Sequence, residues 1–217
     1  MFNEASIGVF HLEYSPKLKN PVYIIGAPGV GNVGRVSARL LVEWSQAKFF
    51  SSFYSCYFLD QALIQNDGIC SLPRWEFYES NFCHPNLIIA VGNSRIAVDE
   101  PEAYYTVFDK ILNFGLNFKI KKLIIIDGVA ALSNHVKEIY IAATSENLIK
   151  KLTGFGGKSL KTTELPGTIG VLLGLAKLKN LNGIGIIKPS KSLVLDREAG
   201  DAAFKFLIKA LNLKRKM

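Results

Sequence analysis

Gly29, Gly31 and Gly34 form a literal G-x-G-x-x-G within GAPGVGNVG, residues 26–34, between the apolar run PVYII and the segment RVSARLLVEWSQ. Glycines at that spacing, closing a strand and opening a helix, let backbone amides approach a pyrophosphate at a helix N-terminus. The chemistry would be dinucleotide binding, with an acid at the end of the next strand meeting a ribose; Asp60 is the acid so placed. Three features favour an architectural role instead. Pro28 precedes the motif, and Pro with Gly describes a rigid turn before it describes a pyrophosphate cradle. Asp60 follows Gly34 by 26 residues, where about 20 is expected. A strand read over residues 7–13 precedes the glycine strand, whereas the fingerprint usually sits on the first strand of its unit.

Other chemistry would need acids, bases or ligands that converge. His11, His84 and His135 stand singly in different local contexts, and each reads as structural or solvated. Cys56, Cys70 and Cys83 are 14 and 13 residues apart, a spacing that fits neither a disulfide framework nor a zinc site. Cys83 and His84 are adjacent and so point apart, which argues against a catalytic pair. Asp127 ends the run LIIID at what should be the carboxyl edge of a buried strand, where ligands sit in open α/β sheets. It is the best single carboxylate candidate, and a capping acid that binds loop amides is the preferred reading of it. A second glycine stretch, GFGGKSL followed by PGTIG, also leads into a helix, so Gly167 and Gly170 could join Gly29, Gly31 and Gly34 in holding a phosphate. GGKS at 156–159 fails as a phosphate loop, because its first glycine would fall at Leu152. No catalytic residue, cofactor site or metal site is assigned from sequence. The five glycines are carried as structural turns that double as an anion-site candidate.

The elements that must position these residues alternate along the chain. IGVFHLEY and VYIIG read as strands joined by the turn-rich SPKLKN. VSARLLVEWSQ, after the glycine stretch, reads as a helix with Val36, Leu40, Leu41 and Trp44 as its apolar stripe and Arg35, Arg39 and Glu43 away from it. FFSSFYSCYFL is an aromatic-rich strand, and DGICSLPRWEFYE gives two short strands broken at Pro73. NLIIAVGN and KKLIIIDGVA are continuous apolar runs that stop at Gly, the pattern of strands buried on both faces. A helix with Pro101 near its start lies between them. VKEIYIAAT is a strand, SENLIKKL a short helix capped by Ser145, TIGVLLGLAKLK a helix, and GIGIIKPS a strand. DREAGDAAFKFLIKALNL is a helix capped by Asp196. The alternation implies one α/β domain over residues 1–217, with helices on both faces of a mostly parallel sheet.

Composition sets the outer bounds. At 217 residues with 49% hydrophobic and 20% charged residues, the chain suits one well-filled core and not a disordered state. No run of about 18 apolar residues is present to span a bilayer, and Glu4 and Glu13 sit where a signal peptide would be basic and apolar, so a cytoplasmic protein is expected. The formal charge of +8 is uneven: residues 1–110 carry 8 Lys/Arg and 11 Asp/Glu, residues 111–217 carry 18 and 7. The lysines are scattered over helix ends and loops, and few aromatic residues accompany them. That favours a solvated or partner-facing surface over nucleic-acid binding.

PVYIIGAPGVGNVG and its helix, Asp67–Gly68, LIIAVGN, the helix ending in FGL, LIIIDGVA, GFGG, PGTIGVLLGLAK and LDREAGDAAFKFLIKAL occur in the order of one family. Over roughly residues 6 to 212 the chain resembles the proteasome assembly chaperone 2 family, particularly its archaeal members. The resemblance implies a three-layer α/β/α sandwich of the phosphorylase/hydrolase-like type. It also implies homo-oligomers or paired subunits that help proteasome α subunits assemble. Two departures stand out. The hydrophobic–Tyr–any tail that docks between α subunits has Arg215 and Lys216 in its place, in LKRKM. The turn after LIIAVGN carries Arg95 where the family leads one to expect glutamine. The expectation is a non-enzymatic scaffold without cofactor or metal, partnered by itself, by proteasome α subunits or by a companion chaperone, away from membranes and nucleic acid. The alternative is a nucleotide- or nucleoside-handling, phosphorylase-like enzyme using the glycine loops 26–34 and 154–170.

Overall fold

The computed structural model describes residues 7–64, 66–97, 100–131 and 137–216; His135 lies outside them. The chain runs β1 (Gly8–Leu12), β2 (Val22–Gly26), a 3-10 turn (Val30–Asn32), α1 (Val33–Trp44) and β3 (Lys48–Ser55). A small hairpin, β4 (Leu63–Ile64) and β5 (Cys70–Ser71), precedes β6 (Trp75–Ser80), β7 (Cys83–His84) and β8 (Leu87–Gly92). Next come α2 (Pro101–Leu116), β9 (Lys122–Ala130), β10 (Tyr140–Ala143), α3 (Glu146–Thr153) and β11 (Lys158–Ser159). α4 (Gly167–Leu178), β12 (Asn182–Ser190), α5 (Arg197–Leu211) and β13 (Lys214–Arg215) follow.

Among the described residues nine strands join in one sheet, in the order β1-β3-β6-β8-β2-β9-β12-β10-β11. Its central four, β8-β2-β9-β12, are parallel, and antiparallel pairings border them on both sides. This is the expected mixed sheet, parallel where it is most deeply buried. Alternation along the central strands sorts side chains to two cores. Tyr23, Ile25, Leu123 and Ile125 face α2 and α4, together with Phe50, Phe53 and Phe77, and α2 contributes Phe114 to this core. Val22, Ile24, Ile124 and Ile126 face α1, α3 and α5. The first core is aromatic: Phe10 stacks on Phe114 at 4.2 Å and Phe77 meets Phe114 edge-on at 4.8 Å. Each such pair contributes about 0.5–1.5 kcal/mol beyond its buried area. Among the described residues no helix is long and apolar enough to cross a membrane.

The helices were placed correctly by periodicity, but the stripe of α1 was not. Val33, Gly34, Ser37, Ala38 and Leu41 face the sheet, while Val36 and Leu40 are only half-buried. The reason is closeness. A Cβ on Gly34 would stand 2.1 Å from the Ile126 carbonyl oxygen and 2.6 Å from the Ala27 nitrogen, so small residues must line the approach. Ser37 joins them by donating within its helix to Val33 O or to Gly200 O of α5, each at 2.8 Å. Asp196 caps α5 as expected, accepting from Ala199 N at 2.9 Å. Ser145 occupies the N-cap of α3 without a side-chain cap bond.

Candidate functional site

β2 delivers the chain to the carboxyl edge of the sheet at Gly26, and the glycine turn carries it over the ends of β9 and β12 into α1. Gly31 has φ +63°, and Asn32 adopts φ 49°, so two successive residues are left-handed. Gly31 has no Cβ to strain, and asparagine is among the side chains that tolerate the region best. The turn is packed from below. A Cβ on Gly29 would fall 1.7 Å from Asp127 Oδ1, and one on Gly31 would fall 2.1 Å from Ser190 Oγ. Its amides are engaged as well. Gly31 N–H donates to Leu193 O at 3.1 Å, Asn32 N–H to Gly29 O at 3.1 Å, and Val33 N–H to Val30 O. Asp60 stands exposed after β3, a strand separated from β2 by β6 and β8.

Asp127 lies under Gly29 and is buried, 7% exposed. Its Oδ1 accepts from Gly128 N–H at 2.7 Å. Burial pushes its carboxyl up to about 7, against the opposing pull of that N–H and of Arg95. Arg95 explains its own presence in the turn after β8: its Nε donates to Pro28 O at 2.9 Å and an Nη reaches Gly29 O at 3.4 Å. The guanidinium thus clamps two carbonyls of the glycine turn, which a shorter neutral amide could not do with the same charge.

A second charged cluster was missed by sequence reasoning because the topology assembles it. Arg39 of α1 donates to Glu76 and, at 2.6 Å, to the Tyr78 hydroxyl; Arg74 reaches Glu76 Oε1 at 3.0–3.1 Å. Tyr78 also donates to Glu76 Oε2 at 2.9 Å. Burial alone would raise the Glu76 carboxyl, but Arg39 and the donors from Tyr78 and Arg74 outweigh it and hold it below the ordinary value. The only sequence signal was Glu76, two residues after Arg74 and between Trp75 and Phe77 on one strand.

The glycine turn also holds a second loop, residues 190–196. Asn32 Nδ2 donates to Val194 O at 2.7 Å, and Asp196 N–H to Gly31 O at 2.9 Å. Inside the loop, Ser192 Oγ accepts from the amides of Val194 and Leu195, both at 3.2 Å, and Asp196 Oδ2 accepts from Lys191 N–H at 2.9 Å. This loop displays Leu193, Val194 and Leu195 to solvent.

The other candidates do not converge with this site. Gly167 opens α4 on the α2 face of the sheet, beside Pro101, Tyr104, Tyr105 and Val171, and Gly170 lies against Leu165 O of its own loop. α1 packs on the opposite face. His11 is exposed on β1, 3.5 Å from Glu13, and His84 is exposed on β7. Cys83 is buried, its thiol raised chiefly by that burial, while Cys56 and Cys70 are exposed. Among the described residues no three His, Cys, Asp or Glu side chains gather as a metal site. Residues 214–216 lie against the body: β13 pairs with β7, Lys216 N–H donates to Phe82 O at 2.8 Å, and the Arg215 guanidinium covers the Trp44 ring at 5.0 Å.

Comparison with known proteins places this geometry among relatives. The model of the PAC2 family matches residues 23–217. An uncharacterized protein of Methanocaldococcus jannaschii is 30% identical over 212 residues, covering 92% of this chain and 77% of its own. The crystal structure of Pyrococcus furiosus PbaB, an archaeal proteasome activator, is similar with a TM-score of 0.84 and 26% identity, over 96% of this chain and 91% of that one. Pyrococcus furiosus PbaA, an archaeal homolog of proteasome-assembly chaperone, gives a TM-score of 0.76 and 25% identity, over 96% and 88%.

Proposed function

The chain belongs to the PAC2 family, and on that premise we propose that it is a proteasome-directed, non-enzymatic scaffold that assists the assembly of proteasome α subunits. The observation that carries the reading is the likeness, across nearly the whole fold, to PbaB and PbaA. The engaged amides of Gly31, Asn32 and Val33 support it from within the molecule, because an anion cradle uses such amides for its ligand. In this reading the glycine turn is a joint, and the protein works through apolar and charged surface in the cytoplasm, as an oligomer or with a companion subunit.

PbaB and PbaA point to two forms of the same role, an activator of the proteasome and a homolog of an assembly chaperone. A pull-down with the purified chain separates them, using free α subunits from the same organism in one arm and assembled proteasome in the other. Stoichiometric capture of free α subunits is the expected result. Capture of the assembled particle alone would turn the reading to activation. Because residues 214–216 are paired with the body, the contact is expected to survive their deletion. Capture of neither, with stabilisation by a nucleotide or phosphate, would favour the enzyme that uses loops 26–34 and 154–170.

A further inference from the structure

Leu193, Val194 and Leu195 are consecutive and stand 68%, 75% and 46% exposed. Three adjacent apolar side chains in water are unfavourable for the isolated chain. Yet their loop is firmly tied, with the bonds from Gly31, Asn32, Ser192 and Asp196 fixing its backbone. A rigid apolar projection loses little freedom on association. Beside it, α1 leaves Val36 and Leu40 half-buried, and a groove of about 800 Å³ runs between them and Val194–Leu195. Projection and groove therefore share one face.

We propose that this face is an isologous contact between two copies of this chain, with Val194 and Leu195 of each copy seated against the outer side of α1 of the other. The proposal rests on the scaffold reading above and names the surface it uses. Charge selects a second copy as the occupant. Arg35, Arg39 and Glu43 follow one another at four-residue spacing on the outer side of α1, with Arg35 and Glu43 exposed. A two-fold axis near residues 39 and 40 crosses two α1 helices in opposite directions. Arg35 of each copy then faces Glu43 of the other, giving two opposite-charge pairs from one patch. Arg39 would meet its own counterpart at the centre, a like-charge contact. Its guanidinium is instead drawn onto Glu76, Tyr78 and Asn93 of its own body. At the rim, Asp201 is paired with Lys205 at 2.6 Å, and exposed Arg197 adds a further positive charge to the groove.

The test is the mass of the full chain by light scattering and sedimentation, with thermal melts to verify folding. The wild type is expected to be a dimer or a multiple of dimers. Arg35→Glu and Glu43→Arg each set like charges face to face, and each should weaken the dimer by roughly tenfold or more. The double variant R35E/E43R exchanges the charges and should restore wild-type association. Arg35→Glu places an acid in the first turn of α1, where it suits the helix dipole, so loss of mass would not reflect loss of fold. Val194→Asp, at the most exposed of the three apolar positions, should also release monomers. A wild-type monomer at about 100 μM would overturn the proposal, as would an oligomer indifferent to the single reversals or a double variant that stays dissociated. A monomer that still captures α subunits would give the face to a different partner and leave the scaffold reading standing. A dimer that obeys the charge exchange and captures no α subunit would leave the contact standing and the proteasome reading not.

Discussion

At Gly29, Gly31 and Gly34 a Cβ would stand 1.7, 2.1 and 2.1 Å from Asp127 Oδ1, Ser190 Oγ and Ile126 O; at Gly156 and Gly167 it would meet nothing within 4 Å among the described residues. Both glycine stretches lead into helices and look alike in sequence, but they use the missing side chain differently. The first needs space, because the turn is pressed against the ends of β9 and β12. The second needs the sign of φ, which is +101° at Gly156 and +77° at Gly167. It has two tight glycines: Gly170 packs against its own loop at Leu165 O, while a Cβ on Gly157 would meet the flexible Ile141 side chain of β10 at 2.7 Å. A glycine wedged between distant elements joins layers of the fold. A glycine in open space with positive φ only bends its own segment.

The sharpest way to break the comparison is Gly34→Val. The atoms it would strike, Ile126 O within β9 and Ala27 N just after β2, are backbone and cannot rotate away. A loss of about 4 kcal/mol or more is expected, and the same loss with and without nucleotide, read by urea unfolding. Intact stability joined to a lost ligand response would return the glycine turn to nucleotide chemistry.

That comparison also marks how far the sequence could be read. The parallel centre was legible because LIIAVGN and KKLIIIDGVA are too uniformly apolar for strands with a wet face. Asp127 was read as the end of its strand, whereas β9 continues past it to Ala130. The inward face of α1 was not legible, since hydropathy ranks Val36 and Leu40 above Gly34, Ser37 and Ala38. The deciding quantity was the distance to the sheet, and distance selects for size. Arg95 was seen as a departure without a cause; the cause is a pair of carbonyls more than 60 residues earlier in the chain. Arg74 and Glu76 are two residues apart and could have been paired from sequence, but Arg39 was invisible beside them, as α1 reaches β6 only through the fold. The loop at 193–195 had a legible anomaly, three apolar residues before a helix cap, but only the bonds from the glycine turn show it to be held outward.

Asp127 offers the next effect, in the dependence of stability on pH. Its folded carboxyl titrates at about 7, against roughly 3.9 for an unfolded aspartate. Between those values the unfolded chain has released a proton that the folded chain retains. Stability therefore falls as pH rises through this window and levels off above about 7. Glu76 has the opposite sign: its folded value is lowered, so its contribution is present above the unfolded value near 4.3 and is lost as pH falls through the folded one. Asp127→Asn keeps the shape and the acceptor for Gly128 N–H while removing the titration. Urea midpoints measured from pH 4 to 8 should decline less steeply in the variant than in the wild type. Equal slopes would mean that the carboxyl beneath the glycine turn is not a buried acid.

The smallest expected effect belongs to the second loop and sharpens the contrast from its other side. Gly167→Ala meets no atom of the described residues, so the positive φ is what opposes it, and a loss of about 1 kcal/mol is expected. Gly167 is also the first residue of α4, a helix with no acid in its first turn, where an anion would find the positive end of the dipole. The two causes separate on adding phosphate. A conformational cost is the same at every phosphate concentration. A bound anion present at 100 times its dissociation constant would add about 2.7 kcal/mol to the wild type, and a distorted N-terminus would forfeit part of that gain. Thermal melts of both proteins across a phosphate series are expected to run parallel, because α4 and the glycine turn of α1 lie on opposite faces of the sheet and cannot share one small anion. Melts that diverge with phosphate would make the open glycine, and not the wedged ones, the seat of ligand chemistry.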